Sequence, residues 1–591
     1  VGSEMCIRDR TDPAGWRKTT LEERHRIMYE AANRLADMRG DLIGCMCAVT
    51  GKTVIEGDVE VSEAVDYARF YTTAMKKFAA LDDIEIKPKG TILVISPWNF
   101  PCAIPVGGIV AGLAGGNTVI LKPATVAAPV AWMFAKAFWD AGVPKEALQV
   151  IITNREALKV LTTAPAIKHI ILTGGTDTAQ NIARANPVTP LSAETGGKNV
   201  IILTASGDRD HAIMNIVASA FGNAGQKCSA CSLLLVERSV YEDKNFQSKL
   251  KDAATSLKVG SVWNPGNIVG PMITNKNDKL LQAFNLEPGE SWLVPPRFID
   301  EKEYMLAPTV KWGVKPENFS FRTELFGPLL SVACIENLEE GIKLVNSLDY
   351  GLTSGLQSLD EEEQKLWKNS VIAGNLYINR GITGAIVNRQ PFGGMKLSAF
   401  GGGIKAGGPN YCTCFVEITD KPDSQTDYID SYFDACEEEF MDPRDVNKLY
   451  GEQNVFRYLP LKSMILRLFP EDTDREVNMI SYASELCRTP LTISFDPSDD
   501  RTAALTQYGW PLRKESLEDF LKVMPDYERV RTCSPNIPKC MYERAAETNM
   551  YIVAAPPMKQ GRIELIRYFK EQSISFEYHR YGSISEVPPY E

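Results

Sequence analysis

Apolar residues recur with a helical period over Leu21 to Arg39, where Ile27, Ala31, Leu35 and Met38 share one side. A second such stretch runs from Glu60 to Phe78 and ends near Leu81. Thr91 to Ser96 is instead a short β-branched run closed by Pro97, the mark of a buried strand. Thr118 to Leu121 reads the same way and stops at Pro123. Ala127 to Ala141 is helical up to Gly142, and Gln149 to Thr153 and His169 to Thr173 are two more strands. The alternation continues with strands at Asn199 to Leu203, Ser232 to Val236, Leu329 to Ile335 and Asn375 to Ile378, and a helix at Ile213 to Phe221. Strands alternating with helices predict a doubly wound parallel sheet. Gly393 to Gly408 is a glycine-rich loop tract, and Ser424 to Arg444 is acidic and aromatic, like a linker or adaptor helix. From Tyr450 the α/β pattern returns, with strands expected at Phe456 to Leu468, Leu491 to Phe495 and Ile552 to Ala555, and a helix at Arg562 to Lys570.

Length and composition narrow the classes. A chain of 591 residues exceeds one core, so two to four domains are expected. The net charge of −11 and the absence of a Lys/Arg-rich run argue against nucleic acid as a partner. The longest weakly polar stretch, Cys102 to Gly116, is broken by Pro105 and glycines and falls short of the roughly 20 apolar residues that span a bilayer, so it reads as a buried helix. Thirteen scattered cysteines suggest free thiols and a cytoplasmic protein. Cys228/Cys231, Cys45/Cys47 and Cys412/Cys414 lack a matching second half at zinc spacing, so no metal site is expected. The four histidines lie in no motif, which leaves a Ser-His-Asp or Cys-His mechanism without support. The first ten residues, Val1 to Arg10, show no continuity with the rest of the chain and resemble adapter read-through, so they are set aside. On that reading the natural chain is truncated at its N-terminus.

Two runs carry chemistry. Asn223-Ala224-Gly225-Gln226-Lys227-Cys228-Ser229 presents a thiol behind a glycine-containing stretch. Upstream, Ala193-Glu194-Thr195-Gly196-Gly197-Lys198-Asn199 presents a carboxylate beside glycines. A thiolate that attacks a carbonyl, and a carboxylate that later activates water, are what covalent aldehyde oxidation requires. Ser96-Pro97-Trp98-Asn99-Phe100-Pro101 follows a strand and offers the Asn99 amide as an oxyanion donor. Lys122, just past a strand, lies where a doubly wound sheet binds dinucleotides, and Thr173-Gly174-Gly175-Thr176 opens a helix whose N–H groups can meet a pyrophosphate.

Together and in this order, these runs resemble the NAD(P)-dependent aldehyde dehydrogenase superfamily. The resemblance implies an α/β aldehyde dehydrogenase fold, with a Rossmann-like NAD-binding domain and an α/β catalytic domain. Residues 11–196 are the NAD-binding part, 197–395 the catalytic part and 396–420 a return segment. A linker at 421–449 then leads to a C-terminal aldehyde-dehydrogenase-like α/β domain at 450–591, which lacks a second Cys/Glu pair in motif context. It implies Cys228 as nucleophile, Glu194 as the base for thioester hydrolysis, and an oxyanion hole from Asn99 and the Cys228 N–H. Cofactor contacts are implied at Ile95, Pro97, Trp98, Lys122, Thr125, Gly174, Gly175 and Thr176, and at Glu324 and Phe326 of Thr323-Glu324-Leu325-Phe326-Gly327-Pro328. The superfamily usually has glutamate where Thr125 stands and serine where Gly175 stands, which leaves NAD against NADP open.

The stretch Gly374 to Tyr411, with Asn379-Arg380-Gly381-Ile382-Thr383-Gly384-Ala385, Pro391-Phe392-Gly393-Gly394 and Lys405-Ala406-Gly407-Gly408-Pro409, resembles the L-glutamate γ-semialdehyde (1-pyrroline-5-carboxylate) dehydrogenase group. Within that group it is most similar to the dehydrogenase half of bifunctional proline utilisation A proteins. Glu287-Pro288-Gly289-Glu290-Ser291-Trp292 is similar to the same group, and the tail at Leu565 to Ser583, with Tyr578-His579-Arg580-Tyr581-Gly582, resembles its C-terminal motif. The resemblance implies an anion nest at Gly384 and Ala385 for the substrate α-carboxylate, helped by Ser229, with Phe100 and Phe392 beside the aliphatic middle. It also implies a homo-oligomer, expected as a dimer, and an upstream proline dehydrogenase unit; FAD belongs to the picture only with that unit. The rival reading is a non-catalytic scaffold of the same fold, and intact Cys228, Glu194 and Asn99 argue against it.

Overall fold

The computed structural model describes residues 12, 14–275, 277–302, 304–580 and 583–584. The ten-residue leader and Tyr581 and Gly582 of the C-terminal motif lie outside the described residues. The first helix, α1 (Leu21–Asp37), starts at a capping box in which Thr20 and Glu23 satisfy each other's backbone N–H groups. It packs with α2 (Arg39–Thr50) and the long α3 (Val54–Ala79), which is six residues longer at its start than the apolar period suggested, because the apolar Val54, Ile55 and Val59 stand exposed there beside Asp58 and blur the face pattern.

Five strands of the first sheet follow: β1 (Thr91–Ile95), β2 (Thr118–Lys122), β3 (Leu148–Val150), β4 (Ile167–Thr173) and β5 (Leu191–Glu194). Between them lie α4 (Ala103–Ala114), α5 (Ala128–Asp140) and α6 (Thr176–Ala185). β1 is buried throughout, as a parallel strand covered on both faces must be. β2 lies on one side of β1 and β4 on the other, both parallel. The topological switch point therefore falls between β1 and β4, and ligands of such sheets bind at the carboxyl ends there.

The second sheet has nine strands. β6 (Asn199–Leu203), β7 (Cys231–Glu237), β8 (Ser291–Val294), β9 (Thr309–Trp312), β10 (Leu329–Ile335), β11 (Thr353–Gln357) and β12 (Asn375–Ile378) come from the middle of the chain. A short β13 (Ala399–Phe400) returns to the first sheet and pairs antiparallel with β5, setting Ala399 opposite Glu194. The predicted loop tract Gly393 to Gly408 thus holds strand pairing as well as turns.

The C-terminal region does not build a sheet of its own alone. β14 (Glu452–Pro460) is succeeded by β15 (Met464–Arg467), β16 (Leu491–Phe495), β17 (Leu512–Lys514), β18 (Arg529–Thr532), β19 (Ile552–Ala554) and β20 (Phe569–Glu577). β15 to β19 form a separate five-stranded parallel sheet in the order β17-β16-β15-β18-β19. β14 and β20 instead extend the second sheet, in the order β14-β20-β12-β11-β6-β7-β10-β9-β8. β20 runs parallel to β12 and antiparallel to β14 over nine residue pairs.

The structure corrects two expectations. Phe456 to Leu468 is two strands in two sheets, split after Pro460, whose missing N–H ends a ladder. Arg562 to Lys570 is a helical turn at Gly561–Glu564 and a 3-10 turn at Leu565–Tyr568, after which Phe569 begins β20. Tertiary pairing with β14, where Phe569 meets Pro460 and Lys570 meets Leu459, overrides the local helical pattern at that end. The acidic stretch after Ser424 does carry a helix, Tyr428–Ala435, continued by a π-turn at Cys436–Phe440. The twelve described cysteines are free, and among the described residues no helix is long and apolar enough to cross a membrane.

Candidate active site

The nucleophile loop is held in an uncommon conformation. Asn223, Ala224 and Gly225 have φ of 51°, 54° and 68°, three left-handed residues in a row. Such strain persists where the surroundings fix it, and it clusters at functional sites. The fixing groups are visible. Gln226 Nε2 donates to the Asn223 carbonyl at 3.2 Å, and Gln226 Oε1 accepts the Ile273 N–H at 2.8 Å. Lys227 Nζ donates to Glu56 at the start of α3 at 2.8 Å. Asn199, the first residue of β6, donates from Nδ2 to the carbonyls of Cys228 (2.7 Å) and Ala230 (3.0 Å). Gly197 permits this approach, since a Cβ there would lie 2.6 Å from the Cys228 carbonyl oxygen.

Cys228 and Glu194 line one cavity, the thiol at the amino end of β7 and the carboxylate at the carboxyl end of β5. Burial pushes the Cys228 thiol up to about 12, with the nearby Glu324 and Glu194 charges adding to it and the Ser229 and Cys228 N–H groups opposing it. Burial raises Glu194 to about 8, opposed by the Lys405 cation and by the Gly394 N–H, which donates to Glu194 Oε2 at 3.1 Å. Asn99 is 5% exposed and donates from Nδ2 to the Gln226 carbonyl at 3.0 Å, which seats it against the nucleophile loop. An amide has two N–H donors, so a second one is left for a ligand.

The same cavity is lined by Phe100, Ser229, Gly384, Ala385 and Phe392. Gly384 has φ of 101°, a conformation costly for any other residue, and a Cβ there would meet open space. The Gly384 carbonyl accepts from Tyr377 Oη at 3.0 Å, while among the described residues neither the Gly384 nor the Ala385 N–H finds a protein acceptor. Phe100 lies under a buried ion pair: Lys52 Nζ is 3.9 Å from its ring centre and is bonded to Glu60. Glu60 Oε1 in turn accepts the N–H groups of Cys102 (2.6 Å) and Ala103 (3.1 Å) at the start of α4, so the Trp98-Asn99-Phe100 turn is anchored from α3.

On the cofactor side, Ile95, Pro97 and Trp98 leave the carboxyl end of β1, and Lys122 ends β2. Lys122 is half-buried, burial lowers its pKa, and its ammonium has no protein partner among the described residues. Gly174 and Gly175 leave the carboxyl end of β4, and Thr176 opens α6. A Cβ on Gly175 would meet nothing within 4 Å, so the N-terminus of α6 faces open space. Thr125 sits in a short turn after β2. Glu324 accepts the Gly197 N–H at 2.8 Å, and Phe326 (φ 51°) meets Trp98 edge-on at 5.9 Å. An unpartnered cation at the end of β2, an open helix N-terminus after β4, Phe326 against Trp98 after β1 and Glu324 beside Gly197 fit a dinucleotide along these carboxyl ends.

Sequence reasoning missed four residues. Glu63, on α3, lines the cavity and is raised to about 8 by burial and by the Glu60 charge, with Tyr67 hydrogen-bonded to it. Its signal was a carboxylate three residues after Glu60, on a helix whose other buried residues are mostly apolar. Asn199 and Lys405 lay inside quoted runs but had no role assigned. Glu571, in β20, carried no signal, being one polar residue beside Lys570, Gln572 and Ser573.

The chain is 34% identical over 417 residues to the 1-pyrroline-5-carboxylate dehydrogenase of Geobacillus sp. (strain WCH70), covering 67% of this chain and 80% of that protein. Its fold is similar to proline utilization A (PutA) from Corynebacterium freiburgense, with a TM-score of 0.87, 35% identity and coverage of 99% of this chain. The chain spans 60% of the length of that PutA. It is also similar to the 1-pyrroline-5-carboxylate dehydrogenase from Thermus solved with bound NAD, with a TM-score of 0.66, 31% identity and coverage of 71% and 84% of the two chains. Residues 8–420 match the model of the aldehyde dehydrogenase family, and with its thiol, carboxylate and dinucleotide edge in one place the chain belongs to that family.

Proposed function

We propose that this chain oxidises L-glutamate γ-semialdehyde, the open form of 1-pyrroline-5-carboxylate, to L-glutamate with NAD. The carrying observation is one cavity that joins Cys228 and Glu194 to the Gly384–Ala385 amides and to the Glu63 carboxylate. An amino acid with an aldehyde at its far end presents an α-carboxylate and an α-ammonium. Two free consecutive N–H groups suit the first, and a buried carboxylate suits the second. Phe100 and Phe392 cover the methylenes between.

Cys228 adds to the aldehyde carbon as thiolate, and the second Asn99 N–H with the Cys228 N–H receives the oxyanion. NAD bound at the switch point supplies the hydride acceptor. Lys122 would hold its ribose, the α6 N-terminus its pyrophosphate, and Glu324 and Phe326 its nicotinamide half. Glu194 then takes a proton from the water that cleaves the thioester, returning the thiol and releasing glutamate. Proline breakdown is the setting of this reading, with a flavin-dependent proline dehydrogenase unit as the source of substrate; FAD would reside there. A cytoplasmic homodimer completes it, and light scattering checks the dimer.

The test compares NADH formation from pyrroline-5-carboxylate, succinate semialdehyde and propanal. Preference for pyrroline-5-carboxylate, lost in Cys228→Ala, is expected. Equal rates on all three would reject the amino-acid aldehyde assignment, and the same set with NADP in place of NAD fixes the cofactor.

A further inference from the structure

Glu194 is wired to the C-terminal region through a single peptide group. The Gly394 N–H donates to Glu194 Oε2 at 3.1 Å, and the carbonyl of the same amide, on Gly393, accepts from Lys405 Nζ at 2.6 Å. An ammonium on the oxygen of an amide polarises its N–H and strengthens the bond on the other side. Lys405 is 1% exposed, and its Nζ also donates to Asn375 Oδ1 at 2.7 Å. Behind it lies Glu571 of β20, 3% exposed. Glu571 Oε2 accepts the Lys405 backbone N–H at 2.7 Å, and Oε1 accepts from Asn410 Nδ2 at 2.7 Å. Gly393 leaves room for this: a Cβ there would lie 3.1 Å from Glu194 Oε1 and 3.2 Å from Lys405 Cγ.

We propose that Glu571, acting through Lys405 and the Gly393–Gly394 amide, is a positioning residue that sets the orientation and basicity of Glu194, so that strand β20 governs the hydrolytic half of the reaction. This rests on the reading of Glu194 as the hydrolytic base. The charged and titratable groups around the wire are few. Glu194 faces Lys405, Cys228, Tyr67 from α3 and Tyr411. Lys405 faces Glu194 and Glu571, and Glu571 faces Lys405, Arg562, Tyr458 and Cys414. Burial brings Lys405 down to about 7 and Glu571 up to about 7, so the ammonium depends on its two carboxylate neighbours. Removing the Glu571 charge releases the Lys405 proton more easily. Glu194 then loses its cation, and its pKa rises.

The test uses the full chain and p-nitrophenyl acetate, an activated ester that acylates a thiol without cofactor. The burst of nitrophenolate reports acyl transfer to Cys228, and the steady rate from pH 6 to 10 reports hydrolysis. Glu571→Gln keeps one acceptor oxygen for the Lys405 N–H, removes the charge and gives up the bond from Asn410. It and Lys405→Met are expected to keep the burst, while the apparent pKa of hydrolysis moves up by about one unit and the rate at pH 7 falls about tenfold. Unchanged pH profiles in both variants would overturn the proposal. So would a parallel loss of burst and hydrolysis in Glu571→Gln with an unaltered melting temperature. If Lys405→Met does not fold, Glu571→Gln decides alone. No burst in the unaltered chain would instead reject the reading of Cys228, and this proposal with it.

Discussion

At the scale of single residues, the site works by opposing burial with local donors and charges. Cys228 sits with a raised pKa, so the thiolate must be created by what enters the cavity rather than stored in it. Its replacement by Ala is expected to abolish NADH formation while leaving the quench of tryptophan fluorescence by NAD intact. Glu194 is raised above the usual carboxylate range, to about 8. It is therefore protonated below that pH and active as a base above it, so hydrolysis of the acyl-enzyme should fall about tenfold per pH unit below pH 8. In Glu194→Gln a stopped-flow trace should show one equivalent of NADH formed rapidly, followed by slow turnover. Loss of the burst itself would place Glu194 in the first step instead. Asn99→Ala removes both the oxyanion donor and the bond to Gln226, and kcat should drop by about 10² to 10³.

Elements carry the site by where their ends fall. The carboxyl ends of β4 and β5, the short β13 and the loop before β7 all supply residues to one cavity, so elements far apart in sequence converge on it. β20 supports this from outside. Ile574, 3% exposed, pairs with Leu376 on one side and Val455 on the other. Ile574→Ala leaves a cavity in that layer and should cost about 2–5 kcal/mol in urea unfolding. A loss under half a kcal/mol would mean that the strand is loosely attached. In the five-stranded sheet, Arg531 is fully buried against Glu564 at 3.0 Å and donates to the carbonyls of Thr532 and Val553. Breaking such a pair typically costs about 3–5 kcal/mol, so Arg531→Met should unfold that sheet first, read by hydrogen exchange at β15 to β19.

At the scale of the whole molecule, the C-terminal region completes the catalytic sheet rather than sitting beside it. Removing residues 450–591 would expose the edge of β12 and leave Lys405 without Glu571, although Cys228, Glu194 and Asn99 all stay in the chain. An open edge strand is a template for aggregation. The truncated chain is expected to be insoluble or inactive; a soluble product with full pyrroline-5-carboxylate oxidation would contradict this.

Much of this was legible in the chain itself. The Asn223–Ser229 and Ala193–Asn199 runs point to thiol and carboxylate chemistry because residue type and local turn chemistry are properties of short segments. The β1 to β4, β6 and β7 strands were legible for the same reason, as apolar β-branched runs between turn signals, whereas β5 (Leu191–Glu194), half-polar and four residues long, carried no such pattern. What could not be read locally was everything that depends on partners far apart in sequence. The helical-looking end of Arg562 to Lys570 becomes the start of a strand because β14 pairs with it. Glu63 faces the cavity because α3 packs there, and Glu571 reaches Lys405 because β20 joins a sheet begun long before it. A carboxylate's role depends on the charge and solvent around it, and only the tertiary structure decides which cation, which amide and how little water surround each of these acids.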